Sequence, residues 1–229
     1  MDSGADNHMR ISAITVCIDY SDLLTKSIEV RRNTLDHFLV VTSYEDEKTI
    51  RLCGEFGIDY HPTDAFYRNG ASFNKYLAMV EAIEARKIQD GFWSDWNLFL
   101  DADIVLPADW RKITEPLIKH GNLYGCKRVT ESGIKMQYEE LAGFFQMFHA
   151  SDPNVQRDPL LETNWRHAGG GDSEFQMRWK AHQQHWLPFH VEHLGETGQN
   201  WWGKGKRQEM KEMVKERIRI RGISPMERL

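Results

Sequence analysis

The chain has 229 residues, 41% of them hydrophobic and 28% charged, with 29 Lys or Arg against 34 Asp or Glu and a formal net charge of −5. This is the composition of a folded globular chain of about one domain, neither disordered nor fibrous. A mildly acidic chain has no long-range field drawing it to nucleic acid or anionic lipid, so such a partner would need a local basic patch. Cys17, Cys53 and Cys126 form neither a disulfide framework nor a zinc spacing, which points to a reducing, cytoplasmic setting. No apolar run approaches the roughly 18 residues that span a bilayer, and a soluble protein is expected. Residues 1–8, ahead of Met9, read as a tag or disordered lead and are set aside.

Ile11 to Asp19 is apolar and β-branched, as a buried parallel strand should be. Ser21 is placed to cap a helix carrying Leu23, Leu24, Ile28 and Leu35, and His37 to Thr42 reads as a second strand. Glu45 to Phe56 is helical and stops at Gly57, and Ile58 to Tyr60 is a third strand. A loop over residues 61–72 leads to Ser72 as the cap of a helix with Leu77, Val80 and Ile83, and Asn97 to Leu100 is a fourth strand. Strand and helix in alternation predict a parallel sheet covered on both faces. Beyond it, Leu123 to Val129, Leu141 to Phe148 and Trp186 to His193 read as strands and Asp172 to His182 as a helix. Lys204 to Arg221 reads as a helical tail with eight Lys or Arg against Glu209, Glu212 and Glu216.

The chemistry concentrates in three places. Asp101-Ala102-Asp103 follows the fourth strand directly, and carboxylates at the carboxyl edge of an open α/β sheet can hold a divalent cation on a diphosphate. Helix capping by one Asp and solvation of the other is the plainer alternative. Gly169-Gly170-Gly171 precedes Asp172 at a predicted helix start, where a carboxylate is stabilised as an anion able to accept a proton; a glycine-rich turn with an Asp cap would look the same. His193 ends the last predicted strand, as a structural histidine or a metal ligand.

In this order the three features resemble the GT-A glycosyltransferases, especially the small family-2-like members. The matching residues are Asp101-Ala102-Asp103, the Gly170-Gly171-Asp172 turn with Glu174 and Arg178 beyond it, and His193. The resemblance spans Ile11 to Gly195 and implies a Rossmann-like, mostly parallel central sheet flanked by helices. It implies one catalytic domain over 9–203, with 204–229 as a basic tail. It also implies a nucleotide-diphosphate sugar donor, UDP-sugar favoured, held through Mn²⁺ or Mg²⁺. Asp103 and His193 would be direct metal ligands, Asp101 would contact the ribose or the metal shell, and Asp172 would be the base, giving inversion. The usual Glu before that base is Gly171 here.

Donor contacts are expected from Asp19, Tyr20, Thr42 and Ser43, from Asn74 and Lys75 in a Phe73-Asn74-Lys75 triplet resembling the family's nucleotide-contacting segment, and from the Asp101-Ala102-Asp103 turn. Gly170, Gly171, Trp165, Trp201 and Trp202 are candidates for the acceptor side, since aromatic faces suit sugars and bases. The acceptor is a hydroxyl on a glycan or, if the basic tail faces the cleft, on a hydroxylated base in DNA. Asp101 to Val105 also matches the D-x-D-x-V of aspartyl-phosphate hydrolases, but that family carries it on the first strand. A sugar nucleotidylyltransferase would need a Gly-rich basic loop where Asp19-Tyr20-Ser21-Asp22 stands. The remaining alternative, a non-catalytic sugar-nucleotide or carbohydrate binding module, predicts loss of a ligand or base, and all four are present.

Overall fold

A computed structural model describes residues 9–90, 95–131, 133, 135–136, 141, 143–156, 159–168 and 170–195. The basic tail, Trp201 and Trp202 lie outside the described residues. The first half alternates as its sequence predicts: β1 (Ile11–Val16), α1 (Ser21–Thr34), β2 (His37–Thr42), α2 (Glu47–Phe56), β3 (Asp59–Pro62), α3 (Lys75–Asp90) and β4 (Trp96–Leu100). The second half adds β5 (Ile104–Val105), α4 (Trp110–Thr114), β6 (Leu123–Thr130), β7 (Lys135–Met136), β8 (Phe145–His149), α5 (Gly171–Gln176) and β9 (Gln184–His193).

Local chemistry sets the boundaries. The Asp46 carboxylate accepts from Thr49 N to open α2, and Gly57 closes it at φ 63°, a left-handed turn that glycine adopts without a Cβ penalty. Asn74, not Ser72, caps α3: its Oδ1 accepts from Leu77 N at 3.0 Å, while Ser72 Oγ donates to Arg166 O. Ser21 is the first residue of α1 and Tyr20 its cap. The helix expected over 172–182 is only Gly171–Gln176, followed by a turn and a 3₁₀ turn at Ala181–Gln183. Where it stops, Gln184, the first residue of β9, donates from Nε2 to Gln176 O and to Trp179 O in the turn beyond the helix. The strand expected from Leu141 begins only at Phe145.

The strands form one sheet in the order β3-β2-β1-β4-β8-β6-β9-β5, with β7 on β6. β3, β2, β1 and β4 are parallel neighbours. β8 runs antiparallel to β4, and β9 parallel to β6. Alternate residues serve opposite faces. Ala13, Val40, Leu98 and Leu100 pack with Leu24 and Ile28 of α1; Ile14, Leu39, Val41 and Phe99 pack with Met79 and Ile83 of α3 and with Phe175 and Trp179. Among the described residues no helix is long and apolar enough to cross a membrane.

One charged residue is built into this interior. Arg31 of α1 is fully buried; its guanidinium donates to Thr15 Oγ1 at 3.0 Å, to Asp101 O at 2.7 Å and to Ile104 O at 2.6 Å. Burial pulls its pKa down to about 10, against the attraction of Asp103, Cys17 and Asp101, so it stays a cation at neutral pH. Arg31→Met is therefore expected to leave the buried Ile104 carbonyl without this donor and Asp101 O with only the 3.4 Å bond from Ile104 N, and to cost on the order of 3 kcal/mol in urea unfolding. A loss under about 0.5 kcal/mol would contradict this role.

At the opposite edge of the sheet, the rings of His120 and His149 stack at 3.7 Å, and Trp96 meets both edge-on. Burial and then His120 lower the His149 pKa from 6.5, while Asp95 and Asp152 oppose the shift. The unfolded chain thus takes up this proton first, and the stack's contribution is complete above about pH 6.5 and lost as pH falls towards the folded value. The melting temperature should drop between pH 7.5 and 5.5, and less in His149→Asn; an equal drop in both would remove His149 as a cause.

Candidate active site

β1 has β2 on one side and β4 on the other, so chain connections leave β1 in opposite directions and a crevice opens at the carboxyl ends of β1 and β4. A cleft of about 350 Å³ lies there, lined on its polar side by Lys75, Asp101, Gln146 and Asp172 and on its apolar side by residues including Val16 and Phe175. β8 contributes because it runs antiparallel to β4: Leu100 pairs with Phe145, and Asp101 N donates to Phe144 O at 3.0 Å.

The acidic turn leaves β4 with Ala102 turned into the core and the carbonyls of Asp101 and Ile104 fixed by Arg31. Ile104 then pairs with His193 of β9, and Leu194 N donates to Asp103 O at 2.8 Å. His193 Nε2 and Asp103 Oδ2 are consequently 3.2 Å apart, with both side chains less than 10% exposed. His193 Nδ1 is buried and makes no hydrogen bond among the described residues. Two ligands in adjacent positions of a cation's shell, each about 2.1 Å from it, lie about 3 Å apart. The Asp103–His193 pair therefore fits two such positions, with a carboxylate oxygen of the kind that suits Mg²⁺ and Mn²⁺ and an imidazole nitrogen of the kind that suits transition metals. Among the described residues no three His, Cys, Asp or Glu side chains are gathered to hold a cation together.

Asp101 is turned elsewhere. Its Oδ1 is 3.3 Å from Lys75 Nζ, with 14% of the lysine side chain and 43% of the aspartate side chain exposed. The ammonium also lies 5.4 Å from the centre of the Tyr76 ring. Burial works against the Lys75 charge, but Asp101, Tyr76 and Asp172 outweigh it and raise its pKa. The Asp101 pKa is also raised, by the surrounding protein first and by Asp103 and Asp172, while Lys75 acts in the opposite sense.

Asp172 is placed by close packing. Gly170 adopts φ 98°, and a Cβ there would meet the Trp165 ring at 2.7 Å. A Cβ on Gly171 would meet the Tyr76 ring at 2.6 Å, and one on Gly143 would overlap the Asp172 carboxylate. Asp172 N donates to Tyr76 Oη at 3.0 Å, Tyr76 Oη donates to Ala168 O at 2.9 Å, and Gln146 Nε2 donates to Asp172 O at 3.0 Å. Burial raises the Tyr76 pKa to about 12, so the phenol keeps its proton. Glu174 lies in the first turn of α5, and Arg178 donates to Leu160 O, tying the segment before the turn to α5.

The other expected donor residues occupy varied positions. Asp19 adopts φ 60° and donates its N–H to Asp46 Oδ2 at 2.8 Å; Thr42 Oγ1 donates to the same oxygen at 3.3 Å. Ser43 Oγ is buried without a hydrogen bond among the described residues. Tyr20 is buried in the core at the start of α1. Both ends of the Asn74 amide are engaged by protein, Nδ2 donating to Thr163 O and Oδ1 capping α3. Sequence reasoning missed Arg31, Tyr76, Gln146 and Asp46. Asp46 had a signal, an Asp three residues before Thr49 at a helix start; the others needed the fold.

No protein-family model matches the chain, and no curated sequence matches it. Solved structures do. Glucosyl-3-phosphoglycerate synthase from Mycobacterium tuberculosis, in complex with Mn²⁺, UDP-glucose and phosphoglyceric acid, superposes with a TM-score of 0.58 at 11% identity, over 95% of this chain and 82% of that one. The same synthase with Mn²⁺, UDP and glucosyl-3-phosphoglycerate gives 0.55 at 12%, over the same shares. A mycobacterial protein gives 0.53 at 13%, over 81% of this chain but only 65% of that protein's length. At these identities the likeness is one of fold, an α/β fold that this chain shares with the synthase.

Proposed function

We propose that this protein is a metal-dependent glycosyltransferase that moves a sugar from a nucleoside-diphosphate donor, a UDP-sugar by preference, to an acceptor hydroxyl. The observation that carries the reading is the contact of Asp103 with His193, brought from distant points of the chain to the carboxyl edge of the sheet, on the same turn as Asp101, which lines a cleft together with Asp172. The fold shared with a synthase solved with Mn²⁺ and UDP-glucose supports it. In this reading the catalytic domain covers residues 9–203 and the tail is an appendage.

Asp103 and His193 would hold the divalent cation, with Asp101 at the ribose or the cation's shell. A bound cation offsets the charge that grows on the departing nucleoside diphosphate. Asp172 accepts the proton of the acceptor hydroxyl; the oxygen bonds to the anomeric carbon as the bond to the diphosphate breaks, and that electron pair leaves with the nucleotide. A base opposite the leaving group implies inversion. Tyr76, Gln146 and Gly143 hold Asp172 in place, and Lys75 supplies positive charge for the phosphates. Asp19, Thr42 and Ser43 lie on the donor side, while Trp165, Gly170 and Gly171 shape the acceptor approach. The acceptor is a glycan hydroxyl by preference over a hydroxylated DNA base.

Calorimetric titration with UDP, GDP, CDP and dTDP, with and without Mn²⁺, tests the donor half. One nucleotide, UDP, is expected to bind only with metal, and Asp103→Ala should weaken it at least tenfold; binding indifferent to both metal and Asp103 rejects the reading. For the chemical half, Asp172→Asn should lower transfer by about 10²-fold or more with nucleotide affinity unchanged. NMR of the product should show the inverted anomer, and retention would remove Asp172 from the role of base.

A further inference from the structure

Resting on the nucleotide-sugar reading, the geometry points to Lys75 as a latch: its ammonium occupies Asp101 and keeps it out of the cation's shell until a diphosphate draws the lysine away, so that cation and nucleotide bind cooperatively. Two observations carry this. Asp103 and His193 already stand together, whereas Asp101, two residues earlier on the same turn, faces Lys75 at 3.3 Å. The turn itself cannot swing to correct this, because Arg31 fixes the carbonyls on both sides of it. The change must come from side chains. Asp103 is enclosed, but Asp101 has 43% of its side chain exposed and room to rotate.

Lys75 sits at the start of α3, with Asp101 and Asp172 as the carboxylates acting on it and the Tyr76 ring beside it. A diphosphate entering the cleft offers it a denser negative charge than one carboxylate. Once the ammonium moves, Asp101 is released to the cation, and the cation in turn holds the diphosphate. Each ligand must then raise the other's affinity by the same factor. Lys75 thus does two jobs in sequence, as internal counter-cation in the empty site and as phosphate ligand in the filled one.

The test is Mn²⁺ titration by calorimetry of the wild type, Lys75→Met, Asp101→Asn and the double variant, each without and with UDP, corrected for Mn²⁺·UDP formed in solution. Lys75→Gln replaces the methionine variant should that one fail to fold. In the wild type UDP is expected to tighten Mn²⁺ about tenfold or more, within the usual range of coupling. Lys75→Met should bind Mn²⁺ alone at least fivefold more tightly than the wild type and show a correspondingly smaller effect of UDP. In the Asp101→Asn background the lysine substitution should bring no such gain. A gain of the same size there means that Lys75 acts only as a distant charge and overturns the latch. Mn²⁺-dependent UDP binding in the wild type, with Mn²⁺ affinity unchanged in Lys75→Met, overturns the latch and leaves the function standing. Absence of Mn²⁺ binding in every protein overturns both.

Discussion

The site depends on a buried cation. Arg31 reaches from α1 through the sheet's covered face and binds the backbone on either side of Ala102-Asp103. A guanidinium in an apolar interior is costly unless its donors are satisfied. Here the carbonyls of Asp101 and Ile104, where β4 ends and β5 begins, and Thr15 Oγ1 take up both terminal nitrogens, while Nε has no hydrogen bond among the described residues. The same bonds fix the backbone of the turn, from which the half-exposed Asp101 side chain faces Lys75 while that of Asp103 stays enclosed. Asp103 then meets His193, because Ile104 is in register with His193 across the β5–β9 pair.

Around that fixed turn, the far wall is set by the absence of side chains. Gly143, Gly170 and Gly171 each lie where a single Cβ would collide with Asp172, Trp165 or Tyr76. Tyr76 is the hub of this wall, since its hydroxyl takes the Asp172 N–H and donates to Ala168. Close packing against Gly143 and the bond from Gln146 hold Asp172 against β8. The apolar floor beneath, with Phe99, Phe148, Phe175 and Trp179 in mutual ring contact, makes that support stiff.

The cleft and the acidic turn beside it concentrate negative charge. Asp103 and Asp172 both act on the Asp101 carboxylate, and Lys75 offsets part of the charge. Bringing like charges together lowers stability unless a ligand repays it. The apolar lining and the partial enclosure of Lys75 strengthen each interaction relative to water.

Much of this was legible along the chain. The strand and helix rhythm of the first half follows from runs of β-branched residues broken by caps and glycines, because hydrophobic periodicity and capping are local properties. Asp101, Asp103, Asp172 and His193 stood out for the same reason, each at the end or start of a recognisable element. The short α5 and the late start of β8 did not, since β8 starts where Phe145 pairs with Leu100 of β4, and the residues after α5 bond to Gln184 of β9, neither of which is a local pattern. Nor did the partners of single residues: nothing near Arg31, Tyr76 or Lys75 in sequence says that they will meet Asp101 or Asp172. By itself the sequence determined the alternation of elements and the chemical types present at their ends. Only the tertiary structure decided that Asp103 faces His193 while Asp101 faces Lys75, because strand register and a buried guanidinium, both non-local, set the directions in which those side chains point.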